Sequence, residues 1–125
     1  MTNKEKVPIL ILDDDEGFRL TLADILQSQG YSPVSFQDGL VALAWLQENP
    51  IPVALIDLKL EGISGLDVLE KLQAFPSSPE CILLTGYASQ ETAIEAVNLG
   101  AFAFFEKPYD IQQLLLTTRK AVDRY

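Results

Sequence analysis

Five short, strand-like runs separated by longer stretches of helical spacing constrain this chain more than any other feature. The runs are Val7–Leu12, Ser32–Phe36, Val53–Asp57, Cys81–Leu84 and Phe102–Phe105. Most are apolar from end to end rather than alternating, the pattern of strands covered on both faces. Between the first two, Phe18, Leu22, Ile25, Leu26 and Gln29 recur at helical spacing, and Gly30 is placed to stop the helix. Asp38 is placed to cap a helix to about Asn49, where Pro50 and Pro52 prevent continuation. Leu66, Leu69 and Leu72 carry a third helix, ended by Phe75-Pro76-Ser77-Ser78-Pro79. Ser89 opens a fourth, with Ala93, Ala96 and Val97 on one face and Gly100 at its close. Asp110 caps a fifth, with Ile111, Leu114, Leu115, Thr118 and Val122 in register. Strands alternating with helices require right-handed crossovers. The expected fold is therefore α/β: a (βα)5 doubly wound parallel sheet.

At 125 residues, with no internal repeat or composition break, the chain reads as one domain over 1–125, its core spanning about 7–122. It is 48% hydrophobic, enough for a real core. A net charge of −9 argues against direct nucleic-acid binding, which needs a basic footprint. No apolar stretch reaches membrane-spanning length, and the first residues lack a signal peptide's apolar core. A single cysteine forms no internal disulfide, which suits the cytoplasm. The absence of histidine excludes triads and imidazole acid–base work.

The strand ends carry the chemistry. Strand one closes in Asp13, Asp14 and Asp15; strand three in Asp57; strand four in Thr85; strand five runs into Lys107 and Pro108. In an open parallel sheet the carboxyl ends gather along one edge, where ligands bind. Two carboxylates about 4 Å apart repel by roughly 4 kcal/mol at an effective dielectric near 20. Such a cluster needs a cation or a protonated acid. Acids, a hydroxyl and an ammonium around one crevice are the parts for handling a phosphoryl group: carboxylates to hold Mg²⁺, one to act as nucleophile, Lys to offset oxygen charge. Each part also has a plainer reading. The acid triplet could cap a helix, Asp57 could be a solvated turn acid, Thr85-Gly86 a turn, and Lys107-Pro108 a surface turn.

Ile11-Leu12-Asp13-Asp14-Asp15, Leu55-Ile56-Asp57, Gly62-Ile63-Ser64-Gly65-Leu66, Leu84-Thr85-Gly86-Tyr87 and Phe105-Glu106-Lys107-Pro108-Tyr109, in this order, closely resemble the receiver domain of two-component response regulators. The resemblance covers Val7 to about Val122. It implies a flavodoxin-like strand order 2-1-3-4-5, with Asp57 accepting the phosphoryl group. It implies Mg²⁺ held by Asp14 and Asp57, by Asp13 through water, and by the backbone carbonyl of Lys59. Thr85 would hydrogen-bond a phosphoryl oxygen and Lys107 would pair with another, the Lys107–Pro108 bond being cis. Phe104 stands where the family carries its switch aromatic, most often Tyr; lacking a hydroxyl, it leaves a packing-driven switch. Lys59 and Tyr87 occupy the positions that tune dephosphorylation. The implied donor is a histidine kinase or a histidine phosphotransfer domain. The only catalysis would be the chain's own phosphorylation and dephosphorylation. The response would be at the face of helix four, strand five and helix five, which also allows a homodimer.

Two rivals stand beside this reading. A flavin carrier on the same fold needs a phosphate-cradling loop after strand one, where this chain has Asp-Asp-Asp-Glu-Gly. A receiver-like interaction module that is never phosphorylated would have no need of Asp57, Thr85 and Lys107 together. Trp45 and Cys81 are expected to be packing residues, and Asp15 and Glu16 to favour a helix N-terminus rather than bind metal.

Overall fold

The computed structural model describes residues 6–86 and 89–125. Period-two geometry sends alternate side chains of each strand to opposite faces, and in the three central strands both faces are buried while the two edge strands are half-buried. Strands β1 (Pro8–Leu12), β2 (Ser32–Phe36), β3 (Val53–Asp57), β4 (Glu80–Thr85) and β5 (Ala103–Glu106) form one all-parallel sheet in the order β2-β1-β3-β4-β5. Helices α1 (Glu16–Ser28), α2 (Gly39–Glu48), α3 (Gly65–Leu72), α4 (Gln90–Asn98) and α5 (Ile111–Arg124) supply the crossovers.

The alternation divides the core in two. Leu10, Leu12, Ala54, Ile56, Cys81 and Leu83 pack with Leu43, Leu46, Leu69 and Leu72 from α2 and α3. Their sheet neighbours Ile9, Ile11, Val53, Leu55, Ile82 and Leu84 pack on the other face with Leu22 and Leu26 of α1 and Leu114 of α5. Fully burying one such side chain contributes about 1.5–3 kcal/mol. Trp45 packs at the rim of the first cluster, its ring 5.4 Å from that of Phe36.

Local chemistry sets the helix starts. Asp15, Asp38, Ser64, Ser89 and Asp110 each accept a first-turn amide through the side chain, and Ser89 with Thr92 forms a reciprocal capping box. Gly30 closes α1 at φ +90°, the left-handed backbone that glycine adopts without penalty. Two expectations are corrected. Phe102 precedes β5 rather than beginning it, although its N–H still bonds the Cys81 carbonyl at 2.7 Å. Val97 does not share a buried face with Ala96: it is 69% exposed and Ile94 53%, because the sheet reaches only one side of α4.

Candidate functional site

Register brings the chemistry together. Leu12 pairs with Ile56, so the next residues, Asp13 and Asp57, lie level at the sheet's carboxyl edge. Asp57 pairs with Leu84, which places Thr85 one step further; Thr85 pairs with Glu106, which places Lys107 after it. The Lys107 N–H donates to the Thr85 carbonyl at 2.7 Å, and the Lys107–Pro108 bond is cis.

These residues surround a cleft of about 270 Å³ lined by Asp13, Asp14, Asp15, Asp57, Lys59, Gly86 and Lys107. Asp13 is 2% exposed and Asp57 8%, whereas Asp14 stands in solvent at the mouth. Lys107 Nζ donates to Asp13 Oδ2 at 2.9 Å and to Asp57 Oδ2 at 3.4 Å. The second oxygens are also held: the Asp15 amide donates to Asp13 Oδ1 at 2.9 Å and the Lys59 amide to Asp57 Oδ1 at 3.2 Å. Arg19 Nη1 donates to the Asp13 carbonyl at 2.7 Å and braces the acid loop from α1. Thr85 is fully buried beneath the cleft.

Burial pushes the Asp57 carboxyl above its ordinary pKa of 3.8, and the Asp13 charge adds to it, against the Lys59 amide and Lys107. For Lys107, burial favours the neutral amine. The hydrogen bond and charge of Asp13, then those of Asp57, outweigh it and hold the ammonium above its usual value. Tyr109, half-buried and near Asp13, is raised to about 12 by its partial burial and then by the Asp13 charge, and stays a phenol.

Carboxylate oxygens of Asp13, Asp14 and Asp57 lie within 4.8 Å of one another. Mg²⁺ takes hard oxygen ligands at 2.0–2.1 Å and keeps several waters. Two buried acids and one at the solvent mouth fit that habit, with room for waters on the open side.

Of the residues singled out from sequence, Asp13, Asp14, Asp57, Lys59 and Lys107 line one cleft, and Thr85 lies beneath it. Phe104 stands apart, packed at the edge of the first core cluster. Tyr87 lies outside the described residues. Asp15 caps α1, as its sequence position suggests, while also edging the cleft. Sequence reasoning placed Phe18 only on the core face of α1. Its ring in fact lies under the Lys107 ammonium, 3.8 Å from Nζ to centroid, and meets Tyr109 edge-on. Only its position just after the acid triplet hints at this; the partners lie at the far end of the chain. Cys81 is buried, its thiol pushed up to about 12 by burial and then by Glu80.

The family model for the response regulator receiver domain matches residues 9–119. The sporulation initiation phosphotransferase F of Bacillus subtilis is 31% identical over 94% of this chain and 91% of its own. Several other curated relatives match 94% of this chain but only 25–27% of their own length, so the chain spans about a quarter of them. A CheY-like receiver domain protein from Methanospirillum hungatei superposes with a TM-score of 0.90 at 31% identity, over 96% of each chain. A Burkholderia pseudomallei response regulator bearing a phosphorylated aspartic acid and a calcium ion superposes at 0.84 with 29% identity. That match covers 95% of this chain and 70% of the other.

Proposed function

The chain belongs to the response regulator receiver domain family, and from that premise we propose that Asp57 is its phospho-acceptor. One observation carries the reading. Asp57 is a buried carboxylate at the end of a central strand, within reach of a lysine ammonium and grouped with Asp13 and Asp14 at an open cleft. The phosphorylated aspartate and the calcium ion of the Burkholderia relative support it.

A carboxylate oxygen of Asp57 attacks the phosphorus of a phosphohistidine on a kinase or phosphotransfer partner. A P–O bond forms, the P–N bond breaks, and the departing imidazole keeps the electron pair and takes up a proton. The product is an acyl phosphate. Lys107 moves from Asp57 to a phosphoryl oxygen while keeping Asp13 as counter-ion. The Thr85 hydroxyl donates to a second phosphoryl oxygen. Asp14 and Asp57 would hold Mg²⁺ directly, with the Lys59 carbonyl, and Asp13 through water. The ion, when bound, neutralises charge on the transferring group. In hydrolysis a water attacks phosphorus in line, the P–O bond to Asp57 breaks, and the free carboxylate and inorganic phosphate result. Lys59 at the cleft rim, and Tyr87, tune that approach.

Thr85 and Phe104 would pass the change to the face of α4, β5 and α5. Phe104 has no hydroxyl to offer Thr85, so its response is a change of packing. Exposed Ile94 and Val97 on α4 give that face apolar surface for a second copy. Among the described residues no helix is long and apolar enough to cross a membrane, and the cytoplasm is the setting we propose. Intact mass after incubation with acetyl phosphate and Mg²⁺ tests the assignment. One added phosphate is expected in wild type and none in Asp57→Asn; equal labelling of the two would overturn it.

A further inference from the structure

A lysine ammonium has three N–H bonds to place. At Lys107 two point to carboxylates, Asp13 Oδ2 at 2.9 Å and Asp57 Oδ2 at 3.4 Å. Beside these the Phe18 ring lies against the ammonium, its centroid 3.8 Å from Nζ, well inside the roughly 6 Å at which a cation feels a ring face. Tyr109 meets that ring at 89° with centroids 5.9 Å apart, an edge-to-face contact that fixes the ring plane. We propose that Phe18 is a positioning residue for Lys107, holding the ammonium between Asp13 and Asp57 through its ring face. The role rests on the phospho-acceptor reading of Asp57.

The chemistry gives the ring something the carboxylates cannot do. A hydrogen bond to Asp57 must be given up when Lys107 turns to a phosphoryl oxygen. Attraction to a ring face is broad in angle, so it persists while Nζ pivots. The ammonium therefore stays near the acceptor during the exchange of partners. The ring also occupies the side from which water would otherwise solvate the charge. A leucine fills similar space without a ring face, whereas tryptophan keeps the face and strengthens it.

The test uses the full chain, with acetyl phosphate as donor so that no partner surface is involved. Phe18→Leu should slow Mg²⁺-dependent labelling of Asp57 by about three- to tenfold, and Phe18→Trp should label at least as fast as wild type. Rescue of the rate by tryptophan but not by leucine is the readout that packing alone would not give, and NMR checks the ring's placement independently. The Lys107 ε-methylene protons should be shifted upfield by the ring current in wild type and Phe18→Trp, and should return to ordinary values in Phe18→Leu. Ordinary shifts in wild type, or equal labelling rates in wild type and Phe18→Leu, would overturn the role while leaving the Asp57 assignment standing. No label in wild type would overturn that assignment and this role with it.

Discussion

Asp57 sits above its ordinary pKa of 3.8 because burial disfavours the ion more than the Lys59 amide and Lys107 favour it. Between the unfolded value and the higher folded one, the native state binds more protons than the unfolded chain. This group's contribution to stability therefore falls as pH rises through that window and stays unfavourable at neutral pH. Asp57→Asn, which cannot ionise, should melt above wild type at pH 7, and the gap should close as the pH is lowered to about 4. Thermal melts across pH decide it, and an Asn variant less stable at neutral pH contradicts the argument. Cys81 makes a simpler forecast. A buried thiol held near 12 offers almost no thiolate, so a thiol-reactive disulfide reagent should leave the native protein untouched and titrate one thiol after denaturation. Rapid reaction of the native protein would show that the β4 face opens. At this scale the sequence was informative about identity and poor about company. Asp57, Thr85 and Lys107 are legible because the first two end strands and the third directly follows one. The Phe18–Lys107–Tyr109 contact is not, since two of its members lie about ninety residues from the third.

Elements begin where short side chains intercept free amides, and that chemistry is local enough to read directly. Asp38, Ser89 and Asp110 are legible in the sequence as helix starts, and Asp15 as a residue favouring a helix N-terminus, while the exposure of Val97 is not, because the sheet's reach over α4 is a tertiary matter. Asp15 accepts the Phe18 amide at 3.1 Å, so it also anchors the turn that carries Phe18 and Arg19. Asp15→Ala should cost about 1 kcal/mol in denaturant unfolding, and Asp15→Ser should recover most of it. An undiminished midpoint in the Ala variant would deny the cap its role. Gly65 starts α3 directly against the end of β3. A Cβ there would strike the Asp57 carbonyl and lie 2.7 Å from Leu58 Cα. Gly65→Ala should therefore destabilise by about 1–3 kcal/mol and slow labelling of Asp57, since the backbone that must shift is that of the acceptor itself.

For the molecule as a whole, the acid cluster links ligand binding to stability. A cation bound by the folded chain alone should raise the melting temperature with concentration, and a chelator should reverse the gain. Asp14→Ala should abolish most of that Mg²⁺-dependent rise without destabilising the metal-free protein, because Asp14 is exposed and pairs with nothing that the core needs. Asp15→Ala should keep most of the rise. Equal loss in both variants would mean the triplet acts as a diffuse charge rather than through a ligand. The two-faced core is legible in the five apolar runs and the sheet order in the family resemblance, whereas the depth of each acid, Asp13 buried level with Asp57 and Asp14 exposed, needed the register of β1 against β3. The uneven anchoring of the helices has one further consequence. Helix α4 contributes a single fully buried residue, Ala96, while α3 contributes Gly65, Val68, Leu69 and Leu72. Little apolar surface must be wetted to lift α4 away, so its amides should exchange with deuterium well before those of α3 and the central strands. The helix with the least buried surface is thus the one that follows the strand ending in the buried Thr85.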